Sequence, residues 1–66
     1  MPAYLTDLEY SLRPNVRSQY PYWLDFTLTL ETRAPTYRRW FVSIEARNAY
    51  IVTLPANCTV TNHGEA

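Results

Sequence analysis

The chain contains no lysine, a single glycine, a single cysteine and a single histidine. It also has no apolar run long enough to span a bilayer. Each shortage excludes something. Cys58 stands alone, so no disulfide forms within the chain. With only His63 beside it, it cannot complete a four-ligand zinc site. Neither a metal nor a cofactor is therefore expected. The missing lysine reads as a coding bias rather than as chemistry. One glycine, no repeat and no shift in composition leave nothing to mark a second domain. The opening "MPAYLTDLEY" lacks the basic and apolar regions of a secretion signal, which points to the cytoplasm, or to the host cytoplasm if the chain is viral. In that compartment Cys58 would be a reduced thiol, and the "NCT" sequon at 57–59 carries no weight.

What remains is a short chain, 66 residues with no net formal charge. A domain of this size buries only about 60% of its unfolded surface, so its core is marginal without support. Six arginines balance six carboxylates, and no polyanionic partner follows from charge.

Periodicity carries most of the fold information. In "WLDFTLTLET", Leu24, Phe26, Leu28 and Leu30 alternate with Trp23, Asp25, Thr27, Thr29 and Glu31, the period of a strand. "YLTDLEYSL" alternates too, with Leu8, Tyr10 and Leu12 sharing a face. In "RRWFVSIEA", Trp40, Val42, Ile44 and Ala46 oppose Phe41, Ser43 and Glu45. A helix capped by Thr36 is the poorer reading of that stretch, given its valine, isoleucine and adjacent aromatics. A three-residue loop, Arg47-Asn48-Ala49, would then set Tyr50, Val52 and Leu54 beside Trp40, Val42 and Ile44.

The expected architecture is all-β: a small antiparallel meander of four to five strands near 4–12, 22–32, 37–46 and 50–54, with 58–61 as an optional fifth. Residues 1–61 form the domain and 62–66 a flexible polar tail. One face collects the leucines and aromatics, and the other holds Asp7, Glu9, Asp25, Glu31 and Glu45. With no helix to cover the apolar face, the sheet must curl into a partly open barrel, pack on a second copy, or dock on another protein.

No catalytic constellation is visible. The carboxylates lie on a wet, convex face that does not desolvate them. Cys58 and His63 are five apart near a flexible end of the chain, a poor setting for a thiolate–imidazole pair. The chain is therefore expected to be a non-enzymatic interaction protein. The stretch "RPNVRSQYPYW" offers Arg13, Arg17, Tyr20 and Tyr22, with Arg47 at the same end of a meander. Arginine and tyrosine are the residues enriched in protein-binding hot spots, and prolines would stiffen the loop. These five are the candidate partner-binding residues. As a plain spacer, the same prolines would only keep edges from pairing. An inhibitor of a host or defence factor, encoded by a phage or a bacterium, is one form of this reading. A small subunit of a larger assembly is another. A third reading has Arg33, Arg38 and Arg39, with Tyr37 and Trp40, holding single-stranded nucleic acid by stacking and phosphate contacts. The acidic wet face and near-neutral pI weigh against it.

Overall fold

The computed structural model describes residues 2–66. Its elements run β1 (Tyr4–Thr6), α1 (Asp7–Leu12), a 3₁₀ helix (Pro14–Gln19), β2 (Tyr22–Leu28), β3 (Thr36–Phe41), α2 (Ile44–Ile51) and β4 (Cys58–Glu65). The four strands make one open antiparallel sheet in the order β1-β3-β2-β4. The expected small antiparallel sheet is thus present, and it does not close into a barrel. β2 and β3 form the one hairpin between neighbours in sequence, and β1 and β4 are the two edges.

Two stretches read as strand are helix. The first strand stops at Thr6 because Thr6 caps a helix. Its hydroxyl accepts from the Glu9 N–H at 3.2 Å, and the Glu9 carboxylate accepts from the Thr6 N–H at 3.2 Å. This reciprocal box satisfies two donors that a helix start leaves open. Pro14, which cannot continue α1, opens the 3₁₀ helix. Further on, Ser43 takes the Ala46 N–H at 3.1 Å and starts α2. The proposed 47–49 turn is therefore mid-helix, and the strand expected over 50–54 does not form. Residues 62–65 are likewise not a tail. They are the second half of β4, paired with Asp25, Leu24, Trp23 and Tyr22.

The Glu9 bonds have a pH signature. The Thr6 backbone bond first, then the Thr6 hydroxyl, hold its carboxyl below the usual range. A lowered folded pKa stabilises above the unfolded value and is lost as pH falls through the folded one. Glu9→Gln should therefore lower the melting temperature at neutral pH and not at pH 2. Equal shifts at both pH values would show that the carboxylate charge plays no part.

The helices lie on opposite sides of the sheet. On one side Leu5, Tyr20 and Trp40 are buried, with Tyr10, Val16 and Trp23 packed around them. On the other, Leu24, Phe26 and Phe41 are buried beneath Ala46, Tyr50, Ile51 and Leu54. Register confirms the division: Trp40 faces Leu5 and Trp23, while Phe41 faces Tyr4 and Tyr22. Trp40 therefore does not share a face with Leu24 and Phe26, and Phe41, assigned to the wet side, is fully buried.

This corrects the inference that the apolar face needs an outside cover. α2 lies across it. The accessible surface is 4388 Å², close to the ~4,400 Å² that size scaling gives for a compact 7.8 kDa monomer.

Candidate binding surface

Stability on the α1 side rests on Trp40. Asp7 accepts a hydrogen bond from the Trp40 indole N–H at 3.0 Å, and the Tyr10 ring stacks on the indole with centroids 3.8 Å apart and planes within 7°. Arg38 approaches the same indole, 5.6 Å from its centroid, and sits 4.3 Å over Trp23. It is held there by two bonds to the Asp25 carboxylate, at 2.6 and 2.9 Å. The Asp25 hydrogen bond also raises the Arg38 pKa, so the cation persists throughout the working pH range.

The five sequence-predicted residues do not form one cluster. Tyr20 is in the core, 1% exposed, and its hydroxyl donates to the Pro2 carbonyl at 2.9 Å. Arg17 turns back on α1, donating to the carbonyls of Tyr10 at 3.0 Å and Ser11 at 2.9 Å. It thereby satisfies the open end of that helix and lies 5.1 Å from the Tyr10 ring centroid. Tyr22 is half-buried against Leu24, Phe26 and Phe41. Arg47 belongs to α2, on the opposite side of the sheet, and makes a long 3.4 Å contact to the Gly64 carbonyl. Only Arg13 points its side chain into water.

The arginine–aromatic patch is divided too. Arg38 and Trp40 lie on one side, and Arg39 sits over Phe26 and Tyr37 on the other. With Tyr10 stacked on its ring, Trp40 is largely withdrawn from incoming bases.

Two features were not singled out from sequence. The first is the outer side of α1. Leu8 and Leu12, one helical turn apart, are 69% and 72% exposed. They project away from the Asp7 and Tyr10 side chains that grip Trp40, and exposed Arg13 follows directly. "TDLE" at 6–9 is a capping-box signature, and it would have placed Leu8 and Leu12 on a helix rather than a strand. The second is the outer edge of β4, where a polar sequence gave no apolar alternation to read.

Among the described residues no pocket opens, no three metal-ligating side chains converge, and no helix is long and apolar enough to cross a membrane. Cys58 is a half-buried free thiol packed on the Leu24–Phe26–Phe41 cluster. No protein-family model matches the chain, and neither the curated proteins nor the solved structures provide a match.

Proposed function

We propose that the chain is a small non-enzymatic protein-binding module that docks through the outer side of α1. The observation that carries this reading is the Leu8–Leu12 pair, each more than two-thirds exposed at i, i+4 spacing. Glutamine, glutamate or lysine would serve a solvated helix nearly as well in propensity, so helix formation alone does not call for leucine there. Paired anchors at this spacing are what a helix presents to an apolar groove. Arg13 beside them adds a cation at the rim, where charge guides encounter.

The surface is ready before a partner arrives, because the capping box and the Trp40 contacts fix α1 on the sheet. That supports a chain folded and soluble by itself, as an inhibitor of a host or defence factor would be, over a subunit that folds only within an assembly. Leu8→Glu/Leu12→Glu should leave the far-UV spectrum intact and move stability little, since both side chains are already wet. Captured alongside the unchanged chain from its native host, the double variant should lose about tenfold or more of the bound partner. Equal capture by both proteins would refute the proposal.

A further inference from the structure

The other unused feature is the β4 edge, which concerns a surface separate from α1. β4 runs for eight residues, whereas the opposite edge, β1, has three before α1 begins. Neither lysine, arginine nor proline occurs in β4, so those guards against edge pairing are missing, and Glu65 is its one formally charged residue. One irregularity is present: a bulge where Asp25 pairs with Asn62 and Phe26 with Val60, leaving Thr61 unmatched.

Ladder alternation identifies the outward groups. Thr29 N–H donates to the Asn57 carbonyl at 2.8 Å, and Ala66 N–H donates to the Pro21 carbonyl at 2.6 Å. Counting inward from these two bonds, Thr59, Asn62 and Gly64 turn their backbone groups toward β2. Cys58, Val60, His63 and Glu65 turn theirs away. The bulge shifts the phase, so the outward set changes from even to odd numbers across Thr61.

We infer that this edge pairs antiparallel with the same edge of a second copy, making one continuous sheet. A dyad near Thr61–Asn62 sets Val60 of one chain opposite His63 of the other, and Cys58 opposite Glu65. All four belong to the outward set. The Cys58 N–H is given to the Pro55 carbonyl and the His63 N–H to Asn62 Oδ1. The new ladder therefore uses the Val60 and Glu65 N–H groups as donors and the His63 and Cys58 carbonyls of the other copy as acceptors. All four also project their side chains to the Leu24 and Tyr22 side of the sheet. The dyad keeps that side common to both copies, and Val60 and Cys58 gain neighbours there. No like charges confront each other, since Glu65 falls opposite Cys58 and His63 opposite Val60. The edge is thus self-complementary in backbone phase, side and charge, which an isologous interface requires.

Light scattering during size exclusion of the intact chain, across a concentration series, should report a mass rising toward the dimer. Thr61→Lys and Thr61→Glu, close to the dyad, should each remain monomeric with unchanged far-UV spectra, and an equimolar mixture should recover the dimer. Amide exchange needs no variant. The Val60 and Glu65 amides should gain about tenfold protection from the dilute to the concentrated sample. A monomer at every concentration would overturn the inference, as would a dimer indifferent to both Thr61 changes. A dimer abolished by Leu8→Glu/Leu12→Glu instead would assign self-association to α1 and equally overturn it.

Discussion

Tyr20→Ala should remove a large part of the stability of the chain. The ring is 1% exposed and lies in the cluster of Leu5 and Trp40, with its hydroxyl on the Pro2 carbonyl. Emptying a buried aromatic site costs about 3–5 kcal/mol. A domain of this length has a total stability of only roughly 3–10 kcal/mol. Tyr20→Phe keeps the ring and removes one hydrogen bond, at a cost of about 1 kcal/mol. Arg13→Ala, from the same stretch of sequence, should change stability by less than about 0.5 kcal/mol. Thermal melts followed by circular dichroism would rank the three. The ranking matters because Tyr20 and Arg13 look alike in sequence as contact residues, and the fold gives them opposite tasks. If Tyr20→Ala melted like the parent, the α1 side of the core would be misassigned.

Why these tasks were hard to read follows from particular residues. β2 was legible because its two sides differ: Leu24 and Phe26 are buried, while Asp25 and Thr27 carry polar groups. β3 was legible as a strand but not in its facing. Trp40 is buried under α1 and Phe41 under α2, and a strand covered on both sides loses its period-two contrast. The helices were concealed by arithmetic. Ala46, Tyr50 and Leu54 recur at intervals of four, which suits both a strand face and a helix stripe. Val52 is the discriminating residue: a strand would bury it, and it is 83% exposed. Ser43 and the Thr6–Glu9 box were the local signals that favoured helix. β4 gave little signal because neither helix packs on it as its main partner. Strand neighbours shape such a sequence, and "NHGEA" has no apolar stripe to show.

The candidate surface was legible in part. Arg13 is exposed as expected, whereas Arg17 is engaged in closing α1 and Tyr22 and Arg47 pack on the other side. The leucines that now define the surface were noticed in sequence, but as members of a buried face. Assigning them to a strand hid their exposure on α1. On α1 the same residues are the most exposed apolar pair among the described helices, held on a helix that is fixed to the sheet rather than on an uncovered sheet face.

Gly64→Ala should destabilise the chain by about 1–3 kcal/mol, the usual range for forcing extra volume into a packed site. Gly64 has no positive φ, so alanine is acceptable to the backbone and the obstacle is steric. A Cβ at Gly64 would lie 2.6 Å from Trp23 Cζ2 and 2.9 Å from Cε2. The indole crosses directly over this β4 backbone and cannot withdraw freely, because Arg38 covers it at 4.3 Å and is itself tied to Asp25. Displacing the ring therefore disturbs the pairing of three strands through one contact. The Trp23 environment should change with it, visible in near-UV circular dichroism and in a shifted fluorescence maximum. Trp23→Ala removes the obstacle, so the double variant should cost less than the sum of the two single changes, by about 0.5–3 kcal/mol. Strict additivity would mean that the indole does not rest on Gly64, and the β2–β4 register would then need another explanation.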